Sequence, residues 1–232
     1  MKRTRLIIIC VLTGLIAIAA GMYALRPREP SYQGKSLSIW LEEATTGTHT
    51  WPQSTNSADE AIRHIGTNAF PMVTRLLHSR DSVAKLKLIQ VSYKLPLLHL
   101  HVPTQAERHK RAIAACFALG PSAKPLVPEV AKALDHMDYY SRPFALIWLM
   151  SLGPDADEAV PALVALLKDT NSPTRWVVPV ALGRISLHRR REVVPVLNEC
   201  LKDTNKMVAS CAQDALNVLN AGDRPGPAKA DK

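Results

Sequence analysis

The chain has 232 residues, 47% hydrophobic and 21% charged, enough apolar content for the core of one domain of soluble type. This composition excludes disorder throughout and a polytopic membrane protein, and its 17 prolines and 10 glycines, scattered singly, exclude collagen-like and low-complexity chains. The formal net charge is +9, but residues 1–35 carry +5 of it and residues 36–222 only +3, too little to attract a phosphate backbone.

Residues 1–5 form a basic n-region with Lys2, Arg3 and Arg5. From Leu6 to Leu25 there is no charge, and only Thr13, Gly14 and Gly21 break an aliphatic run. At ~1.5 Å per helical residue the run spans roughly 30 Å, one bilayer core. Two readings fit. An uncleaved single-span anchor uses all twenty residues; a secretory signal uses Leu6 to Ile16 and the small-residue site Ala17-Ile18-Ala19. The apolar run continues through Met22, Tyr23 and Leu25, past where a cleaved signal turns polar, which favours the anchor. Cys10 comes too early to be a lipid-modified cysteine. Both readings export the body; the slight charge asymmetry across the segment leaves a cytoplasmic body as the alternative.

Residues 26–35, with two prolines and a glycine, read as a short extended linker. A helix is expected from Ser36 to Ala44, and residues 221–232 read as a disordered tail.

Between these ends, residues 36–220 repeat. Pro128, Pro161 and Pro195 lie 33 and 34 residues apart. Each is followed by an apolar residue two positions on (Val130, Leu163, Leu197), a small or apolar one at five (Ala133, Leu166, Cys200) and leucine at six (Leu134, Leu167, Leu201). Pro71 starts the same pattern with Val73, Leu76 and Leu77, and the sequence LKDTN recurs at Leu167–Asn171 and Leu201–Asn205. This spacing is helical, and about 34 residues hold two helices and two turns.

Each unit is therefore a helical hairpin. Proline heads the second helix, where its missing N–H has no partner in any case. Gly120-Pro121 and Gly153-Pro154 end first helices. Ser57 with Glu60 and Thr104 with Glu107 read as capping boxes, Ser172-Pro173 as an N-cap and first-turn proline, and Pro179 as a kink inside the following helix. Pro71 and Pro128 are 57 residues apart, so an insert separates the first two units. It contains a helix-periodic stretch, Val83 to Leu95, and then LLHLHV, Leu97 to Val102.

The stretches LGPSAKPLVPEVAKAL (Leu119 to Leu134), LGPDADEAVPALVALLKD (Leu152 to Asp169) and VVPVLNECLKD (Val193 to Asp203) resemble HEAT repeats of the short bacterial kind grouped with phycobilin-lyase-like units. With AIRHIGTNAFPMVTRLL (Ala61 to Leu77) as a degenerate first unit, the resemblance covers about two thirds of the chain. It implies an all-α, right-handed α-solenoid of four to five HEAT-type helical hairpins, which the uncharged run Leu6 to Leu25 places behind an N-terminal transmembrane helix. HEAT units also tend to pair an aspartate in the inter-unit turn with an arginine in the next helix. Asp169 and Arg175 match that pair, whereas Asp203 has Ala209 at the partner position. The opening YQGKSLSIWLEEA (Tyr32 to Ala44) is similar to anchored bacterial HEAT proteins of unassigned role.

Candidate chemistry is sparse. His99, His101 and His109 supply too few ligands for a tetrahedral zinc site. Cys116, Cys200 and Cys211 fall on apolar helix faces without C-x-x-C spacing, and Cys200–Cys211 is the one pairing between adjacent helices. Asp155, Asp157 and Glu158 are explained by a helix N-terminus. Trp40, Trp51, Trp148 and Trp176 read as packing; together with Arg175 and Arg184 the last two could imitate the concave surface of HEAT-like DNA glycosylases, which the body charge argues against. There is no phosphate loop, nucleophile elbow or H-E-x-x-H.

The sequence thus predicts a non-enzymatic scaffold that binds protein partners at or outside a bacterial membrane. It predicts no catalytic residue, cofactor, metal, nucleic acid or small-molecule substrate, and membrane association through Leu6 to Leu25. Contact positions are expected on exposed second-helix sites, Lys132, Lys168, Asn198 and Lys202, and on the basic run Arg189, Arg190 and Arg191. The alternative is an accessory, lyase-like HEAT protein acting through an accessible cysteine.

Overall fold

A computed structural model describes residues 14, 29–46, 57–94, 102–170 and 172–221. Leu6 to Leu25 other than Gly14, Cys10, Trp51, His99, His101 and the tail from residue 222 lie outside them. No helix among the described residues is long and apolar enough to cross a membrane. The chain divides after Pro30 into two compact units, and the second, from Ser31, carries the architecture.

That unit opens with a correction to the expected linker. Ser31–Tyr32 (β1) and Lys35–Ser36 (β2) form an antiparallel hairpin. Its turn places Gln33 and Gly34 at φ 48° and 77°, the consecutive left-handed residues of a tight two-residue turn. The ribbon is docked by side chains: Trp40 Nε1 donates to the Tyr32 carbonyl at 3.1 Å, the Tyr32 ring stacks on His64 at 4.7 Å, and Lys35 bonds Glu43 at 2.6 Å. These contacts hold as ordered structure a stretch whose composition alone reads as linker.

Helices α1 (Leu37–Thr46), α2 (Ser57–Ile65), α3 (Phe70–Leu77), α4 (Val83–Lys94), α5 (Gln105–Leu119), α6 (Val127–Ala133), α7 (Ser141–Leu152), α8 (Val160–Leu166), α9 (Val177–Ile185), α10 (Arg190–Cys200) and α11 (Lys206–Ala221) follow. The expected hairpins are α2–α3, α5–α6, α7–α8 and α9–α10. First helices pack in series, α2 on α5, α5 on α7, α7 on α9 and α9 on α11. Second helices do the same, α3 on α6, α6 on α8 and α8 on α10, while α1 lies across α2 and α5. Their inward faces form one apolar core from Leu37 to Leu219. The insert contributes α4, as its periodicity predicts.

Gly66, Gly120 and Gly153 end first helices at φ 61°, 58° and 58°, a conformation that strains any residue with a Cβ. A short 3₁₀ segment follows each, and Pro71, Pro128 and Pro161 then sit in the first turn of the second helix. The Thr104–Glu107 capping box is present in both directions. Three local expectations need correction. Pro195 lies inside α10 because that helix begins early, at Arg190. Pro179 is the third residue of α9, so its absent N–H falls in the first turn and breaks no helical bond. Ser172-Pro173 opens a turn rather than a helix, and α9 starts only at Val177.

The last pair of first helices is unusually close. A Cβ on Gly183 of α9 would meet Ala215 Cα and Cβ of α11 at 2.8 Å, so only a hydrogen side chain permits this approach.

Candidate functional site

The residues expected to contact a partner are solvent-facing but not gathered. Lys132 and Asn198 project from α6 and α10, whereas Lys168 and Lys202 fall in the turns after α8 and α10. Lys132 is bonded to Glu129 at 2.8 Å. In the basic run, Arg189 is half-buried, donating to the Asp157 carbonyl at 3.3 Å and pairing with Glu192 at 2.9 Å. Arg190 bonds the Asn220 side chain at 2.8 Å, leaving Arg191 exposed. Most of this cluster therefore ties the α9–α10 turn to its neighbours.

The aspartate–arginine pairing also differs from the sequence expectation. Arg175 forms a bidentate pair with Asp203, Nη1 to Oδ2 at 2.5 Å and Nη2 to Oδ1 at 2.9 Å, one turn beyond Asp169. Arg142 similarly reaches forward to Ser172 Oγ at 2.9 Å while capping the Leu134 and Met137 carbonyls behind it. Arg108 bonds Asp81, Ser79 and the Pro103 carbonyl. The arginine is long enough to bridge successive turns, so the partner cannot be read from sequence proximity. With Trp148 buried against the Cys116 carbonyl at 3.1 Å and Arg175 engaged, no glycosylase-like constellation with Trp176 and Arg184 forms.

The three described cysteines are free and buried, so Cys200 and Cys211 are not bridged. Burial pushes each thiol up from its ordinary value; nearby Asp203 adds to the effect at Cys200 and Asp214 at Cys211. A thiol that resists ionisation is a poor nucleophile. Under native conditions Cys116, Cys200 and Cys211 should label with a disulfide reagent at least tenfold more slowly than in denaturant; rapid labelling of the native protein would support the thiol-based alternative.

The surface feature that sequence reading missed lies on the outer side of the first helices. Tyr140, Phe144 and Ile147 of the α7 segment face Pro173, Trp176 and Val180 of the α9 segment across an apolar groove of about 490 Å³. Tyr140 is 76% exposed, Phe144 44% and Trp176 42%, an arrangement that costs solvation unless something covers it. Tyr139 meets Tyr140 edge-on at 5.3 Å. The mouth is set from below: the Asp138 carboxylate accepts the backbone N–H groups of Tyr140 and Ser141 and the Ser141 hydroxyl. The sequence signal was α7 itself, SRPFALIWLMSL, apolar on all sides. Such a helix has a second face to cover besides its core face; one side holds Trp148 and Leu149, the other Phe144 and Ile147.

Residues 127–217 match the family model of HEAT repeats. No curated protein and no solved structure matches the chain.

Proposed function

We propose that the chain, whose residues 127–217 match the family model of HEAT repeats, is a non-enzymatic scaffold that takes an apolar segment of a partner protein into the groove between α7 and α9. Stacked hairpins bury a continuous core and leave extended outer faces, an architecture suited to protein contacts. The groove carries the reading: aromatic side chains flanked by prolines give large contact area at low conformational cost, the composition of interface anchors. The same scaffold is held at a bacterial membrane by Leu6 to Leu25 with its body exported. That part rests on the twenty uncharged residues and their basic flanks.

The test is selection of a random peptide library on the full chain and on the Tyr140→Ser, Trp176→Ser double variant. Peptides rich in apolar and aromatic residues should bind the wild type at least tenfold better under conditions where the urea midpoints show both proteins folded, since Trp176, 42% exposed, also contributes packing. Equal binding by the two proteins would remove the groove from the proposal.

A further inference from the structure

The first two hairpins meet at a cluster of three histidines that the scaffold reading does not use. His109, on α5, is 0% exposed, and neither ring nitrogen has a hydrogen-bond partner. Its ring stands edge-on to His136 at 5.4 Å, and His136 lies 6.4 Å from His78 at the end of α3. His136 closes the seam: Nε2 donates to the Leu77 carbonyl at 3.1 Å, and Nδ1 meets Asp135 Oδ1 at 2.6 Å. Both neighbours are hydrogen-bond acceptors. His78 bonds Glu129 of α6 at 2.6 Å, and Gln105 Nε2 donates to the His136 carbonyl at 2.8 Å.

We propose that this cluster is an acid-sensitive catch, in which protonation of His109 separates the α3 end from the α6–α7 turn and opens the seam between the first two hairpins. The groups around His109 define the balance. Its own helix supplies Arg108; the α3 exit supplies His78, Arg80 and Asp81; α6 and its following turn supply Glu129, Asp135, His136 and Asp138; α7 supplies Arg142. The charges of α1 and α2 reach α5 elsewhere, Glu42 at Arg111 and Arg63 at the Ala118 carbonyl.

Burial first and His136 second hold His109 below the ordinary histidine range, against the pull of Asp138 and the carbonyls of Leu77 and Ser79. The sign follows from linkage. The opened state takes up a proton near the ordinary value of about 6.5 and the closed state only at lower pH, so closure is favoured above the ordinary value and loses ground as pH falls below it. A three-histidine metal centre is not the reading, since no group of described side chains is placed to hold an ion.

Hydrogen exchange of the full chain, corrected for intrinsic pH dependence, tests the catch. Between pH 7.5 and 5.5, one linked proton predicts about a tenfold rise in opening at the amides of His78, Ser79, His136 and Met137, with α9 and α11 unchanged. His109→Gln should abolish that rise. A wild type without the regional difference, or an equal rise in the variant, would overturn the proposal. Should the variant not fold, an NMR titration of the His109 ring decides: the closed state must remain unprotonated at pH 5.5, and free titration in a closed seam would refute the catch.

Discussion

Replacing Trp148 by alanine should lower the stability of the stack by about 3–5 kcal/mol, measured as a shift of the urea midpoint. Trp148 is 1% exposed in α7, facing α5, and its indole N–H satisfies the Cys116 carbonyl at 3.1 Å. Truncation removes the largest fully buried side chain among the described residues and one of the donors to a carbonyl that also accepts the Gly120 N–H. Trp148→Phe separates the two effects: much of the packing remains, and the missing hydrogen bond, to a carbonyl that keeps the Gly120 N–H, should account for about 1 kcal/mol. In a repeat array each unit is stabilised mainly by its neighbours, so the alanine variant should unfold in two phases, the α1–α5 side before the α9–α11 side. A single transition at the wild-type midpoint would show that this seam does not hold the stack together.

Arg175→Ala should cost about 3 kcal/mol, because it leaves Asp203 in a largely covered site without its countercharge. The two side chains are 6% and 15% exposed, so solvent screens the pair only partly. The hydrogen bonds from Arg175 hold the Asp203 carboxyl below its ordinary value, with burial opposing. A depressed folded-state value means that the stabilisation is fully present above the unfolded value near 3.9 and is lost as pH falls through the folded one. Asp203→Asn should therefore flatten part of the acid limb of the stability curve below about pH 4. An unchanged limb would show that the remaining depressed carboxyls, Asp81, Glu129, Asp135 and Asp138, carry the acid sensitivity without it.

The proline-led helices were legible because the cause is local: at Pro128 and Pro161 the missing donor and fixed φ act on the residue itself. Pro195 carries the same spacing, yet α10 starts at Arg190, since a shorter exit without glycine, Ser186 to Arg189, replaces the longer glycine-led turn. The groove was not legible from Trp176 alone, because an isolated tryptophan in an apolar run is indistinguishable from core until the helix phases of α7 and α9 are known. Phase separates Trp148, pointing inward, from Ile147 beside it, 41% exposed. The partner of Arg175 was hidden for a different reason: the match lies 28 residues on, where tertiary packing rather than sequence sets the distance.

The multiple contacts of Arg108, Arg142 and Arg175 lie along one edge of the stack, where each hairpin passes to the next. Along the other edge, where each hairpin turns on itself, the polar ties among the described residues include the solvent-facing Lys124–Asp155 pair and the exposed Arg190–Asn220 bond, both at 2.8 Å, and two long arginine-to-carbonyl bonds of 3.5 and 3.3 Å. Exposed pairs of this kind contribute little. Bending stiffness is therefore expected to be unequal, the array hinging about the edge held by Arg108, Arg142 and Arg175 and opening along the edge whose ties are exposed or long, as a book opens away from its spine.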